Sequence, residues 1–259
     1  MRSLGSKIAL CHEWFTTYGG SDACASRIAE ILDVDTVFAF TLRESLVREL
    51  LPERSVRTVR PWGRSRVVSN HWQWFLPLMP LAWRSLDLSR FDVVVTSSHA
   101  CTNAVRVPHG VPHVSYCYTP MRYAWDPQLE MSRLPVPVRA FWPVAAALFR
   151  RSDRRWAQRV DGYIAISNTV ASRIERFYGR DSQVVYPPVD TDFFTPESGP
   201  RDGFLAAGRL VGYKRFDVAV DAFTRLGLPL VVAGAGPDLA RLRARAGPTI
   251  RFEIQPTRE

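Results

Sequence analysis

Short apolar runs alternate with amphipathic stretches along most of the chain, and the two patterns predict different elements. The apolar runs predict strands at Lys7–Cys11, Thr36–Phe40, Phe91–Thr96, His113–Cys117 and Gly162–Ile166. The run at Phe91–Thr96 is almost continuously apolar, which is typical of a strand covered on both faces. These strands are therefore expected in the interior of a sheet.

The segments between these strands include stretches with helical spacing of apolar residues. The stretch from Asp22 to Leu32 follows Gly19 and Gly20, with Ser21 or Asp22 as its expected N-cap. The stretch from Ser167 to Tyr178 has a serine cap and a glycine stop, Gly179. Alternating strands and helices predict a doubly wound parallel sheet with right-handed crossovers. We expect one complete α/β domain over residues 1–190.

A second strand–helix run follows a break in the pattern. Prolines near residues 187 and 196–200 predict a linker over residues 191–202. Strands are then predicted at 203–207, 230–233 and 250–252, and helices near 216–226 and 237–246. About 57 residues remain from Gly203 to Glu259, whereas such domains usually need more than ~100. Residues 203–259 are therefore expected to be the start of an incomplete Rossmann-like domain.

Charge and cysteine content narrow the class of protein. The net charge is +9, which suits nucleic acid, a phospholipid surface or a phosphorylated substrate. Because the arginines are scattered and no nucleic-acid reader motif is present, nucleic acid is not the expected partner. The four cysteines form no CxxC pair, which predicts isolated buried thiols in a cytosolic protein. With no secretory or membrane-spanning run in view, we expect a cytoplasmic location.

Gly208–Arg215 joins a predicted strand to a predicted helix and carries several cationic side chains. Such a junction can bind a diphosphate, with the helix N-terminus behind it. Lys7 and Lys214 are the only lysines in a chain rich in arginine. Lysine at position 214 suggests a site that needs a compact ammonium group. A solvated lysine at a helix start is the alternative interpretation.

This junction resembles the one that opens the donor domain of family 4 glycosyltransferases. The flanking segments Tyr186–Phe193 and Leu228–Pro237 agree with that resemblance. Upstream, Ser97–Ala100 and Cys117–Asp126 are similar to the acceptor domain of mannosyltransferase-like members. The resemblance extends from about residue 7 to residue 252 and implies the GT-B fold. It also implies retaining transfer of a hexose, such as mannose, from a nucleotide sugar to a glycan or a polyprenyl-diphosphate-linked acceptor.

The resemblance assigns roles to particular residues. Arg209 and Lys214 match the pair that binds the donor pyrophosphate and offsets the charge on the leaving nucleotide. Gly19 and Gly20 match the loop that faces this diphosphate across a cleft, so both groups are expected to share one cleft. Tyr118 stands where many relatives have a histidine that contacts the donor sugar, and tyrosine is a poor base at neutral pH.

Four further residues are candidates for the cleft. His99 follows a strand end, where parallel sheets bind ligands, although a helix-capping or core histidine is the alternative. Arg122, Tyr123 and Asp126 form a polar and aromatic cluster that is expected to shape the acceptor site. No metal is expected, since the Asp-Thr-Asp run at 190–192 lies in the linker motif. No cofactor is expected beyond the nucleotide sugar, which is a co-substrate.

Two features bear on activity and location. The resemblance stops after Phe252, so we expect a truncated chain that binds nucleotide sugar weakly and turns over little. An amphipathic helix is predicted from Val138 to Trp156, with arginines at its C-terminal end. It is expected either to pack on the core or to contact the inner face of an anionic membrane. The non-enzymatic alternative is a basic protein that binds membrane or nucleic acid without catalysis.

Overall fold

The computed structural model describes residues 6–126, 136–196, 199 and 203–254, without the side chains of 62 and 136–141. Its internal contacts divide the chain into two compact units, residues 1–190 and 191–259. Most of the tail beyond Phe252 and three of the five residues of the proline-rich segment 196–200 lie outside the described residues. Each unit is described by itself below.

The first unit is built on one parallel sheet of seven strands, in the order β3-β2-β1-β4-β5-β6-β7. The strands are β1 (Ile8–Phe15), β2 (Thr36–Leu42), β3 (Ser55–Thr58), β4 (Val93–Ser98), β5 (His113–Cys117), β6 (Gly162–Ala165) and β7 (Gln183–Val184). The predicted parallel sheet is confirmed. The short outer strands β3 and β7 were not predicted, because neither has a continuous apolar run.

Helices connect these strands. They are α1 (Gly20–Ile31), α2 (Glu44–Leu50), α3 (Arg66–Asn70), α4 (Met79–Arg84), α5 (Arg122–Trp125), α6 (Val136–Ala157) and α7 (Asn168–Tyr178). Among the described residues, none of the helices has the length and apolar character that crossing a bilayer requires.

The predicted caps of α1 and α7 have different outcomes. Ser167 caps α7 through its hydroxyl, which accepts from the Val170 N–H at 3.2 Å, and Gly179 ends the helix at φ 64°. The predicted N-cap of α1 at Ser21 or Asp22 is wrong, because Gly19 occupies that position and the helix begins one residue later. Asp22 therefore lies in the first turn, where the helix dipole stabilises a carboxylate.

Both faces of the sheet are covered by apolar side chains. Along β1, Ala9 and Cys11 join a cluster that includes Trp83 and Met79, whereas Leu10 joins the cluster on the opposite face. This alternation follows from the two-residue period of a strand. The described cysteines are all buried and unpaired, as predicted; they are Cys11, Cys24, Cys101 and Cys117.

Asp153 is a fully buried carboxyl group in α6. The indole N–H of Trp125 and the hydroxyl of Tyr178 each donate to its Oδ2 at 2.7 Å. Burial raises the pKa of Asp153 to about 7, and the two hydrogen bonds only partly oppose that rise. The core beneath α6 therefore contains a group that titrates near neutral pH.

Replacing Asp153 with asparagine should remove a pH dependence of stability. The folded pKa is about 7 and the ordinary value is 3.8, so between these values the folded state binds more protons than the unfolded state. Stability from this group is complete at low pH and is lost as the pH rises through about 7. At ~1.4 kcal/mol per pKa unit, we expect the free energy of unfolding of the wild-type protein to fall by on the order of 2–4 kcal/mol between pH 4 and 8. The free energy of unfolding of Asp153→Asn should not show this fall. Urea denaturation between pH 4 and 8 measures this, and parallel pH profiles would contradict it.

The second unit contains a parallel sheet of three strands in the order β10-β9-β8. These are β8 (Leu205–Ala207), β9 (Leu230–Ala233) and β10 (Ile250–Glu253), joined by α8 (Phe216–Leu226) and α9 (Leu239–Arg243). All five predicted elements are present, although α9 is shorter than the predicted helix at 237–246. A small core includes Leu210, Val220 and Val232.

Candidate active site

The carboxyl ends of β1, β4 and β5 bring the polar residues of the first unit together. In the sheet register His12 pairs with Ser97, and Ser97 pairs with Tyr116. Parallel strands end at one edge, which is where such sheets bind ligands. The candidates His99 and Tyr118 follow β4 and β5 directly, so the structure brings them to the same edge.

His99 lies among aromatic rings at this edge. Its ring centroid is 4.7 Å from that of Trp14 and 6.0 Å from that of Tyr118, with both rings edge-on to it. Burial lowers the pKa of His99 well below its ordinary value, and the charges of His12 and Arg122 act in the same direction. His99 is therefore neutral at pH 7, and its Nδ1 atom is buried with no described hydrogen-bond partner.

A chain of hydrogen bonds connects Tyr118 to the strand ends and to the glycine loop. The Tyr118 hydroxyl donates to the carbonyl of Ser21 at 3.0 Å, and the Ser97 hydroxyl donates to Tyr118 at 3.0 Å. Ser97 Oγ lies 2.9 Å from Nδ1 of His12. Since Ser21 follows Gly20 directly, this chain attaches the Gly19-Gly20 loop to β4 and β5.

Glu13 holds the turn after β4 in place. One carboxylate oxygen, Oε1, accepts from the backbone N–H groups of Ala100 at 2.7 Å and Thr102 at 3.0 Å, and from the Thr102 hydroxyl at 3.1 Å. Burial raises the pKa of Glu13, while these hydrogen bonds lower it. The turn that presents His99 is thus fixed by a buried carboxyl group of β1.

The polar and aromatic cluster lies on α5 and just after it. The guanidinium of Arg122 lies 5.8 Å from the ring centroid of Tyr123, whose ring is 6.3 Å from that of Trp72. Trp72 in turn stacks on Trp14 at 3.8 Å. Asp126 ends the helix, with its N–H donating to the Arg122 carbonyl at 2.9 Å. Aromatic contacts therefore link this cluster to His99.

In the second unit, the strand-to-helix junction folds around Gly208. This residue has φ 143°, which favours glycine. A Cβ atom built on Gly208 would lie 3.0 Å from Nζ of Lys214, and one built on Gly234 would lie 2.0 Å from the Gly208 carbonyl oxygen. The Lys214 ammonium group is thus folded back over the end of β8, where close backbone packing requires both glycines.

Arg209 and Lys214 are both exposed. Arg215, which follows Lys214, is the N-cap of α8. Arg215 adopts φ 54° and binds the carboxylate of Asp217 through Nε at 3.0 Å and Nη2 at 3.3 Å. That pairing neutralises Arg215, and Arg209 and Lys214 remain as the cations of the junction that have no acidic partner among the described residues. A cleft shared by this junction and the Gly19-Gly20 loop stays a prediction.

The sequence interpretation missed the buried polar residues of β1 and α1. It ended the first strand at Cys11, so His12 and Glu13 were not recognised as strand residues, and Asp22 was considered only as a cap. The available signal was that apolar residues resume at Trp14 and Phe15 after the polar pair His12 and Glu13. Among the described residues, no three His, Cys, Asp or Glu side chains gather as a metal site requires.

Comparison with solved structures shows the GT-B fold. HepE of Anabaena, solved in complex with UDP and glucose, is 14% identical over 97% of this chain and 70% of its own, with a TM-score of 0.62. The lipopolysaccharide outer core galactosyltransferase WaaB is 18% identical over 96% of this chain and 68% of its own, with a TM-score of 0.54. A glycosyltransferase from Rickettsia africae is 14% identical over 98% of this chain and 69% of its own, with a TM-score of 0.53. These likenesses show the fold alone.

Sequence comparison supplies the family. The curated proteins give no match. The family model for Glycosyltransferase Family 4 matches residues 33–193, which is more than half of the chain and includes β2 to β7 and the candidates His99 and Tyr118. The strand ends and the junction motif described above agree with this assignment, and the chain belongs to glycosyltransferase family 4.

Proposed function

We propose that this glycosyltransferase transfers a hexose from a nucleotide sugar to a glycan or lipid-linked acceptor, with retention and without a metal ion. The observation that carries the proposal is the junction at Gly208, where Arg209 and Lys214 have no acidic partner among the described residues and can bind a diphosphate. Fixed cations stabilise a leaving diphosphate as a metal ion would. HepE, which shares the fold, was solved with UDP and glucose, which supports a nucleotide sugar as the donor. The non-catalytic alternative is not favoured by the family assignment.

Each unit by itself offers groups that suit this function. In the first unit Gly19 is the N-cap of α1 and Gly20 is its first residue, and the backbone there can approach a phosphate closely. His99 and Tyr118 offer neutral polar groups that suit sugar hydroxyls. Arg122, Tyr123 and Asp126, with the Trp14–Trp72 stack nearby, offer the apolar faces and charges that suit a sugar acceptor carrying a phosphate.

The direct test is a transfer assay in the presence of excess chelator. UDP-glucose and GDP-mannose are incubated with the full chain and with polyprenyl-diphosphate or oligosaccharide acceptors, and products are analysed by mass spectrometry and NMR. We expect a small amount of chelator-insensitive product, in keeping with the weak turnover predicted from the sequence, with the anomeric configuration of the donor. An inverted product would overturn retention, and activity abolished by chelator would overturn metal independence. Failure of both donors to bind or react would overturn the proposed substrate class.

A peripheral membrane contact forms a second part of the proposal. On the exposed face of α6, the apolar Val144 and Leu148 are followed by Arg151 and Arg155. Exposed apolar side chains beside cations suit the boundary of an anionic bilayer. This face is opposite the buried Ala146, so core packing and membrane contact use different sides of one helix.

Replacing Arg151 and Arg155 with serine should weaken binding to vesicles that contain phosphatidylglycerol. Each basic residue near an anionic surface contributes ~1 kcal/mol, so we expect about tenfold weaker binding or more in a sedimentation assay. The matched control replaces Arg48 and Arg57, two exposed arginines on α2 and β3, and should bind like wild type. Equal losses in both double variants would show a response to net charge alone and would contradict a docking face on α6.

A further inference from the structure

An open groove of about 400 Å³ lies between the C-terminal ends of α6 and α7. α7 begins after the carboxyl end of β6 and crosses back toward the amino end of β7. Arg180, just past α7, donates to the carbonyls of Ala157 and Asp161 at 3.1 Å each, and Asp161 directly precedes β6. The groove is therefore at the amino ends of the strands, whereas the candidates His99 and Tyr118 follow the carboxyl ends.

Three arginines line this groove without acidic partners. They are Arg154, Arg155 and Arg176, and none of them forms an ion pair within the part of the chain that the structure describes. The lining also includes the carboxylate of Glu175, so three guanidinium charges and one carboxylate leave a net charge of +2. A phosphate monoester carries a charge of about −1.5 to −2 at pH 7, and the charge of the groove matches it.

Arg154 is held in place before any ligand binds. Its Nε donates to the carbonyl of Phe177 at 3.0 Å, and its guanidinium carbon lies 4.9 Å from the centroid of the Trp125 ring. The Trp125 ring stacks on that of Phe177, with centroids 4.5 Å apart and planes inclined by 16°. Because these contacts fix the guanidinium and use only its Nε–H, its Nη groups can donate to an anion with little further loss of side-chain freedom.

The C-terminus of α7 by itself disfavours an anion, because its free carbonyls form the negative end of the helix dipole. Here the carbonyl of Phe177 accepts from Arg154, and the carbonyl of Tyr178 accepts from the side-chain amide of Gln158 at 2.8 Å. These carbonyls are therefore satisfied, and the dipole amounts to only about half an elementary charge. The arginines of the groove outweigh it.

We propose that this groove binds a phosphate monoester, carried either by a soluble metabolite or by a lipid headgroup. Guanidinium groups donate in pairs to phosphate oxygens, and a monoester offers three terminal oxygens to the three arginines. A carboxylate has two oxygens and a single charge, so it would match the groove less well. The site needs neither the nucleotide sugar nor its acceptor, and the inference is independent of the proposed transfer reaction.

Calorimetric titration with inorganic phosphate tests the site, at an ionic strength held constant with chloride. The full chain carries Lys214→Ala, so that the Gly208 junction contributes less to phosphate binding. We expect saturable binding that becomes at least about tenfold weaker when Arg155→Gln and Arg176→Gln are combined. Unlike Arg154, these two arginines make no hydrogen bond to another described residue, so the melting temperature should not change.

Two further variants make the test specific. Arg48→Gln combined with Arg57→Gln removes two exposed arginines from α2 and β3 and should leave phosphate binding unchanged. Glu175→Gln removes the carboxylate from the lining and should strengthen phosphate binding by about two- to fivefold. Equal losses in both double variants would show attraction by net charge alone and would overturn the site. Weaker binding in Glu175→Gln would also contradict it.

Vesicles distinguish a lipid headgroup from a soluble ligand. Phosphatidic acid carries a phosphate monoester and phosphatidylglycerol a diester, so vesicles of equal surface charge differ in the group that the groove recognises. If a headgroup is the ligand, the wild-type protein prefers phosphatidic acid, and the variant that combines Arg155→Gln and Arg176→Gln loses this preference. If a soluble metabolite is the ligand, inorganic phosphate and glycerol phosphate bind in solution and the vesicles show no preference. Absence of both saturable phosphate binding and a preference for phosphatidic acid would overturn the inference, whatever the transfer assay shows.

Discussion

Glu13→Ala is expected to lower the free energy of unfolding of the first unit by about 3–5 kcal/mol. Glu13 is fully buried, and its Oε1 satisfies the N–H groups of Ala100 and Thr102 and the Thr102 hydroxyl. Alanine leaves these three donors without an acceptor and opens a cavity at the end of β1. Urea denaturation followed by tryptophan fluorescence measures the loss. Hydrogen exchange should show faster exchange at the amides of Ala100 and Thr102.

Glu13→Gln is the matched control for this experiment. Glutamine has nearly the same shape, and its carbonyl oxygen can replace Oε1 as the acceptor of all three hydrogen bonds. Because burial already raises the pKa of Glu13, removing its charge is not expected to be costly, and most of the stability should remain. If Glu13→Ala cost less than ~1 kcal/mol, or if glutamine were as damaging as alanine, the turn would not depend on this acceptor.

The regular parts of the fold could be predicted from the sequence because their patterns are local. Interior strands such as β4 and β5 are apolar along their length, and α7 carries both a serine cap and a glycine stop. The outer strands β3 and β7 could not be found in this way, since they are short and half exposed. Their positions depend on pairing with β2 and β6, which no local pattern records.

The candidate residues were predictable where glycines, cations or the end of a strand marked them. The Gly208 junction and the Gly19-Gly20 loop stand out in the sequence, and the structure folds Lys214 back over Gly208. The roles of His12, Glu13 and Ser97 depend on neighbours about 85 residues away in the chain, through bonds such as His12 to Ser97. A polar residue inside a strand gives no local sign of such a partner. Single-sequence patterns therefore predicted the edge of the site and missed the buried groups that position it.

Lys214→Ala is expected to weaken binding of UDP-glucose or GDP-mannose by about tenfold to a hundredfold. A charge-assisted hydrogen bond to a diphosphate contributes ~1.5–3 kcal/mol, and 1.4 kcal/mol corresponds to about tenfold in affinity. Lys214 is exposed, so its removal should leave the melting temperature unchanged. Calorimetric titration of the full chain measures the loss, with UDP and GDP titrated alongside to show that the diphosphate is the group affected.

Arg225→Ala is the matched control, since Arg225 is an exposed cation in the last turn of α8. At 1.5 Å per residue it lies ~14 Å along the helix from Phe216, the first residue of α8, yet its loss changes the net charge equally. Lys214→Arg separates charge from shape, because a planar guanidinium has the same charge as the compact ammonium group but a different size and geometry. We expect Lys214→Arg to recover only part of the affinity. If Arg225→Ala weakened donor binding as much as Lys214→Ala does, the effect would come from long-range electrostatic attraction alone. If Lys214→Ala left binding unchanged, the proposal that the diphosphate binds at this junction would be wrong.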